Sequence, residues 1–154
     1  SAEYLAKHPE QRGKDYEATR RACAKFATLS TSVMNFLEGT RFTKAKHDRQ
    51  KSEYTHLLRP KAGGLALALN VLGDRFHSLL DITIVYPDGI PTFWEFMCGK
   101  VRRIVVRMRT IEVPQELMRG DYEGDPAFRE AMHKWVQRLW LEKDAQIQAI
   151  RAEA

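Results

Sequence analysis

Cysteine is scarce in this chain of 154 residues: Cys23 and Cys98 stand alone and far apart. That spacing offers neither a zinc cluster nor a disulfide framework, and a reducing compartment is the default expectation. Long apolar runs are also missing. No stretch approaches the roughly 18 residues that cross a bilayer, and no signal-peptide pattern occurs in these residues. Recognisable nucleic-acid motifs are absent as well, and the aromatics do not interleave with the basic residues as stacking platforms would. What remains is an ordinary globular composition, 44% apolar and 29% charged, long enough for one domain or one piece of one.

The net charge of +5 is modest, yet it is concentrated. Between Arg41 and Lys61 lie seven basic residues (41, 44, 46, 49, 51, 59 and 61) against Asp48 and Glu53, so this segment alone carries a net +5. Such a patch attracts an anion: a phosphorylated substrate, lipid headgroups or nucleic acid. A solvated loop with no partner is the plain alternative.

Just before the patch runs Val33-Met34-Asn35-Phe36-Leu37-Glu38-Gly39-Thr40-Arg41-Phe42-Thr43. Val33, Met34, Phe36 and Leu37 predict a short interior strand. Gly39 lets the backbone turn, and the turn presents a carboxylate, a hydroxyl and a guanidinium in four residues. Open α/β folds usually place ligands just past a strand's C-terminal end. An arginine there suits a phosphate, whose oxygens its donor fork can bind in pairs.

Along the rest of the chain, an amphipathic helix is predicted over about 15–28, carrying Tyr16, Ala22, Cys23, Phe26 and Leu29. After Arg41 a polar loop of about twenty residues shows no periodicity. Gly63-Gly64 opens an apolar helix over 65–72. The glycines there either leave helix amides free for an anion or simply permit close packing. Strands are predicted over 79–86 and 100–113. The second has Ile104, Val106 and Met108 on one face and Arg103, Arg107 and Arg109 on the other, the arginines solvated or ion-paired. Phe93, Trp94 and Phe96 are core residues or line an acyl-chain path, with core favoured. Asp125-Pro126 starts a long terminal helix whose stripe is Phe128, Met132, Trp135, Val136, Leu139, Trp140, Ile147 and Ile150. It is expected to lie on the sheet, with its polar last turns projecting away. The predicted fold is α/β: a partial mixed sheet with strands at about 33–38, 79–86 and 100–113, flanked by helices.

Phe36-Leu37-Glu38-Gly39-Thr40-Arg41 resembles the F-P-E-G-T-R block of the glycerolipid acyltransferases, the lysophosphatidate type among them. The longer run F-L-E-G-T-R-F-T-K-A-K, from Phe36 to Lys46, is similar to the branch whose block reads F-V-E-G-T-R-F-T. Leu58 to Gly64 resembles the family's short motif ending in Lys-Gly, and Asp81 to Pro87 its fourth block. Leu37 replaces the commoner proline and Phe42 a frequent serine, which mark a subfamily. The resemblance covers about 36–114.

It implies transfer of a fatty acyl group from acyl-coenzyme A or acyl carrier protein to lysophosphatidate or a related lysophospholipid, in phospholipid biosynthesis or remodelling, with no cofactor or metal. The family's base is a histidine aligned by the aspartate of a His-x4-Asp motif. None of His8, His47, His56, His77 or His133 has an aspartate five positions later. No catalytic residue is therefore expected within the chain. By this resemblance it is the C-terminal part of one acyltransferase domain, itself soluble and inactive. The base block and membrane anchor are expected upstream of Ser1, in a membrane-associated parent, most simply at a bacterial inner membrane with the site facing the cytoplasm. The expected substrate-binding residues are Glu38, Gly39, Thr40, Arg41, Lys46 and Lys61. Glu38 either binds substrate hydroxyls or pins Arg41; Thr40 either meets the phosphate or stabilises the turn. Expected partners are the acyl donor, the acceptor and a membrane surface, with no nucleic acid and with self-association through an incomplete sheet. The rival reading is a non-catalytic basic module that binds anionic membrane or RNA.

Overall fold

In a computed structural model, residues 32–73 and 76–153 are described. They form α1 (Lys44–Gln50), α2 (Gly63–Leu72), β1 (Leu79–Val85), α3 (Phe93–Met97), β2 (Val105–Ile111), α4 (Gln115–Met118) and α5 (Pro126–Ala152). The mixed α/β character is as expected, but the sheet is smaller and purely antiparallel. β1 and β2 pair from Leu79↔Ile111 to Val85↔Val105.

The strand expected at 33–38 is not formed. A strand exists only where a neighbour supplies its ladder of hydrogen bonds, and no described segment pairs with this one. Val33, Met34 and Phe36 are exposed, and Phe36 and Leu37 place their carbonyls in a turn and a single bridge instead. The loop expected after Arg41 contains α1, started by the Thr43 side chain accepting from the Lys46 amide. The helix expected over 15–28 lies outside the described residues.

α5 organises the rest. Its 27 residues make a rod of about 40 Å. The Asp125 carboxylate accepts from the amides of Ala127 and Phe128, and Pro126 occupies the first turn, so the start is fixed by sequence. Met132, Trp135, Val136 and Leu139 of α5 bury against Leu65, Ala66 and Leu69 of α2 and Leu117 of α4. Further along, Ile147 and Ile150 pack on Val85 and its cross-strand partner Val105. The last turns therefore do not project away: two isoleucines among polar residues are enough to hold them down.

The sheet reverses the usual arrangement of polar and apolar faces. Toward α5 it presents Asp81, Thr83 and Val85 of β1 and Val105 and Arg109 of β2. Away from α5 stand Leu80, Ile82, Ile84, Val106 and Met108, all exposed. The inward charges are paired. The Lys143 ammonium of α5, only 8% exposed, lies 2.5 Å from Asp81 and donates to the Ile82 carbonyl at 3.0 Å. Arg109 spans Asp81 at 3.1 Å and Glu142 at 2.8 Å. A buried charge survives only when so compensated, and this network holds the sheet with its charged face inward. Of the three arginines read on this strand, Arg109 is ion-paired, Arg107 is exposed, and Arg103 is exposed just before β2. Phe93, Trp94 and Phe96 are not core residues. All three are exposed, on a helix held by a Thr92–Glu95 capping box.

Candidate functional site

The site is built on the Gly39 turn. The Gly39 amide donates to the Phe36 carbonyl at 2.9 Å, with Gly39 at φ +65, a conformation that favours glycine. A Cβ there would meet the Lys61 ammonium at 3.4 Å, so the lysine lies directly over the turn. Its backbone fixes it as well, since the Lys61 amide donates to the Leu37 carbonyl at 2.7 Å. From the other side Lys46, on the first turns of α1, donates to the Thr40 hydroxyl at 2.6 Å and to the Arg41 carbonyl at 3.1 Å. Arg41 is exposed, and its guanidinium has no ion-pair partner among the described residues. Two lysines thus lie against a four-residue turn whose last residue, Arg41, is open to solvent.

Thr40 therefore serves the turn by receiving Lys46. Glu38 makes no ion pair with Arg41. Its carboxylate instead accepts from the Leu58 amide at 3.1 Å. Burial pushes the Glu38 pKa above its ordinary value, against the opposing pull of that amide and of Lys143. The carboxylate closes the basic loop onto the turn.

The loop is fastened from its far side by side chains of α5, of which the sequence reading named only Trp140, as a packing residue. Asp144 of α5 accepts from the amides of Thr55 at 2.8 Å and His56 at 2.7 Å. The Trp140 indole donates to the Leu58 carbonyl at 3.1 Å. His56 meets the Gln148 side chain at 2.6 Å. Leu58 and Tyr54 are buried beneath, and burial and the neighbouring Glu53 push the Tyr54 hydroxyl up to about 12. Lys143 falls on the same apolar stripe, between Trp140 and Ile147, but its partners are Asp81 and the Ile82 carbonyl of the sheet rather than the loop.

The N-terminus of α2 begins two residues after Lys61 and has no side-chain cap, leaving amides available. Its two glycines nevertheless have a packing reason. A Cβ on Gly63 would meet the Tyr122 ring at 3.2 Å, and one on Gly64 the Asn35 side chain at 3.2 Å. Asn35 lies in the stretch that leads into the turn, so this contact sets turn and helix end side by side.

His47 and His133 are engaged elsewhere. His47 Nε2 lies 2.6 Å from the Tyr54 carbonyl and its Nδ1 3.5 Å from Asp48. His133 Nε2 is 2.8 Å from the Tyr122 hydroxyl. Among the described residues no group of three or more His, Cys, Asp or Glu side chains could hold a metal, and no helix is long and apolar enough to cross a membrane.

A cation-lined turn of this kind has the chemistry to hold an anion. Comparison with known proteins narrows the possibilities. The chain is 25% identical to lysocardiolipin acyltransferase 1 of Danio rerio over 126 residues, 75% of this chain and 31% of that one. It is 26% identical to lysocardiolipin acyltransferase 1 of Gallus gallus over 98 residues, 62% of this chain and 24% of that one. The chain thus spans about a third or less of the curated relatives it matches, and carries a weak homology to an acyltransferase of the glycerolipid acyltransferase family. No family model and no solved structure matches it.

Proposed function

We propose that the chain is the acceptor-binding part of an acyltransferase acting on lysophospholipids, and that the Gly39 turn binds the acceptor phosphate. The observation that carries this is that Lys46 and Lys61 lie against the one glycine turn that carries the exposed Arg41. The relatives, named as acyltransferases of a lysophospholipid, support the same chemistry. A phosphate keeps its charge at neutral pH, so permanent cations suit it better than titrating groups. Arg41, unpaired among the described residues, supplies the paired donors. Lys46 supplies a point charge already held in place, so little of its side-chain freedom is lost on binding, and Lys61 supplies a second over the turn.

In this reading the acceptor is lysophosphatidate or a related lysophospholipid and the donor is acyl-coenzyme A or acyl carrier protein, with no cofactor. The base that deprotonates the acceptor hydroxyl comes from outside this chain, in a membrane-associated parent. The chain alone is then inactive, because the general base, worth about a hundred- to ten-thousandfold, is missing. The test is thiol release from acyl-coenzyme A in the presence of lysophosphatidate. No turnover is expected from the chain. Turnover abolished by replacing one of His8, His47, His56, His77 or His133 would refute the reading.

A further inference from the structure

The largest feature that phosphate binding leaves unused is the outer face of the sheet with the connection that joins its strands. Ile82 faces Met108 and Ile84 faces Val106 across the strands, all exposed. At the end where Val85 pairs with Val105, the connection carries Ile90, Phe93, Trp94, Phe96 and Met97, also exposed; Trp94 is 73% and Ile90 72% exposed. Exposed apolar side chains are ordinary singly; a run of five in eight residues beside an apolar sheet face marks a docking surface.

We propose that this surface docks on an anionic lipid bilayer. The argument is charge complementarity. Lys100, Arg102 and Arg103 follow the aromatics and are all exposed. From 86 to 107 the only acids are Asp88 and Glu95, and the Glu95 carboxylate is turned back onto the Thr92 amide and hydroxyl at 2.8 Å. Aromatic and long apolar side chains with a cationic fringe suit the boundary between acyl chains and negative headgroups. A second copy placed symmetrically would set three cations against three. Residues 1–31 also carry more basic than acidic side chains, so they do not complement the fringe. RNA would use the aromatics and the cations but leave the aliphatic face without a partner. The surface is independent of the acceptor site, and either can fail without the other.

Tryptophan fluorescence of the whole chain reads it directly, because Trp135 and Trp140 are buried and Trp94 is not. With phosphatidylcholine vesicles containing phosphatidylglycerol, Trp94 emission is expected to shift to the blue and to be quenched by brominated acyl chains. A Trp94→Phe chain provides the baseline. Arg102→Ala with Arg103→Ala should weaken binding about thirtyfold, and added salt should weaken it too. Phe93→Ser with Trp94→Ser should weaken sedimentation with vesicles about tenfold or more, with unchanged circular dichroism because both residues are exposed. No vesicle binding, or binding with Trp94 unquenched, overturns the proposal. So does a dimer dissolved by Trp94→Ser, which would assign the face to a second copy. Trp94 already shielded from iodide in the free chain overturns it too, because the chain itself would then cover the face.

Discussion

The Trp140 indole donates to the Leu58 carbonyl at 3.1 Å, and the same residue's amide donates to Glu38. The long terminal helix therefore reaches the Gly39 turn through a single loop residue. Trp140→Phe keeps most of the packing and leaves the Leu58 carbonyl without its donor. It should destabilise the chain by about 1–3 kcal/mol, measured by urea unfolding, and weaken phosphate binding at the same time. A loss of stability with phosphate binding intact would mean that the loop needs no such hold.

Lys143 provides a second test. Lys143→Met leaves the Asp81 carboxylate with Arg109 as its remaining partner. Removing one member of a buried pair typically costs about 3–5 kcal/mol, and the retained arginine should hold the loss at or below the lower end of that range. Lys143→Met with Asp81→Asn should recover most of it. A double variant as unstable as the sum of the singles would contradict the network.

Glu38→Gln tests the buried carboxylate. The Glu38 pKa is raised in the fold, so the native state holds its proton more firmly than the unfolded chain does. Its charged form therefore weakens the fold above the raised pKa, and that penalty fades as the pH falls toward 4.5, its ordinary value. Glutamine keeps an acceptor for the Leu58 amide without the charge. The variant should melt no lower than the parent at pH 7, with the difference shrinking on acidification. A variant that melts clearly lower at pH 7 would show that the charge itself stabilises the turn, through Lys143.

Gly39→Ala tests the turn. At φ +65 an alanine costs about 1–2 kcal/mol, and its Cβ would also crowd Lys61. Both effects should appear together, as a lower melting temperature and weaker phosphate affinity. Unchanged affinity would separate Lys61 from the site.

Much of this was legible because it is local. The Asp125-Pro126 start, the stripe of α5, the glycine opening of α2 and the two paired strands all follow from spacing and capping. The segment at 33–38 was misread because a strand depends on its neighbour, and four apolar residues do not reveal whether one is there. α1 was missed because Lys44 to Gln50 carries no apolar stripe and only its Thr43 cap marks it. The exposure of Phe93, Trp94 and Phe96 was invisible for a related reason: aromatic spacing is the same whether the facing surface is protein or something else. In the candidate site, the residues of the turn are proposed from pattern, and the structure sets Lys46 and Lys61 against it. Trp140, Asp144 and Gln148, which hold the loop in place, come from a helix some eighty to a hundred residues further on, and no local signal joins them to it.

The most direct test of the central claim is titration of the chain with glycerol 3-phosphate, followed by amide and side-chain NMR shifts. The account predicts saturable shifts at Gly39, Thr40, Arg41, Lys46 and Lys61, stronger than with inorganic sulfate. Arg41→Ala should weaken binding by on the order of a hundredfold, as expected for a lost charged contact. Shifts spread evenly over the exposed lysines and arginines, or unchanged affinity in Arg41→Ala, would contradict it.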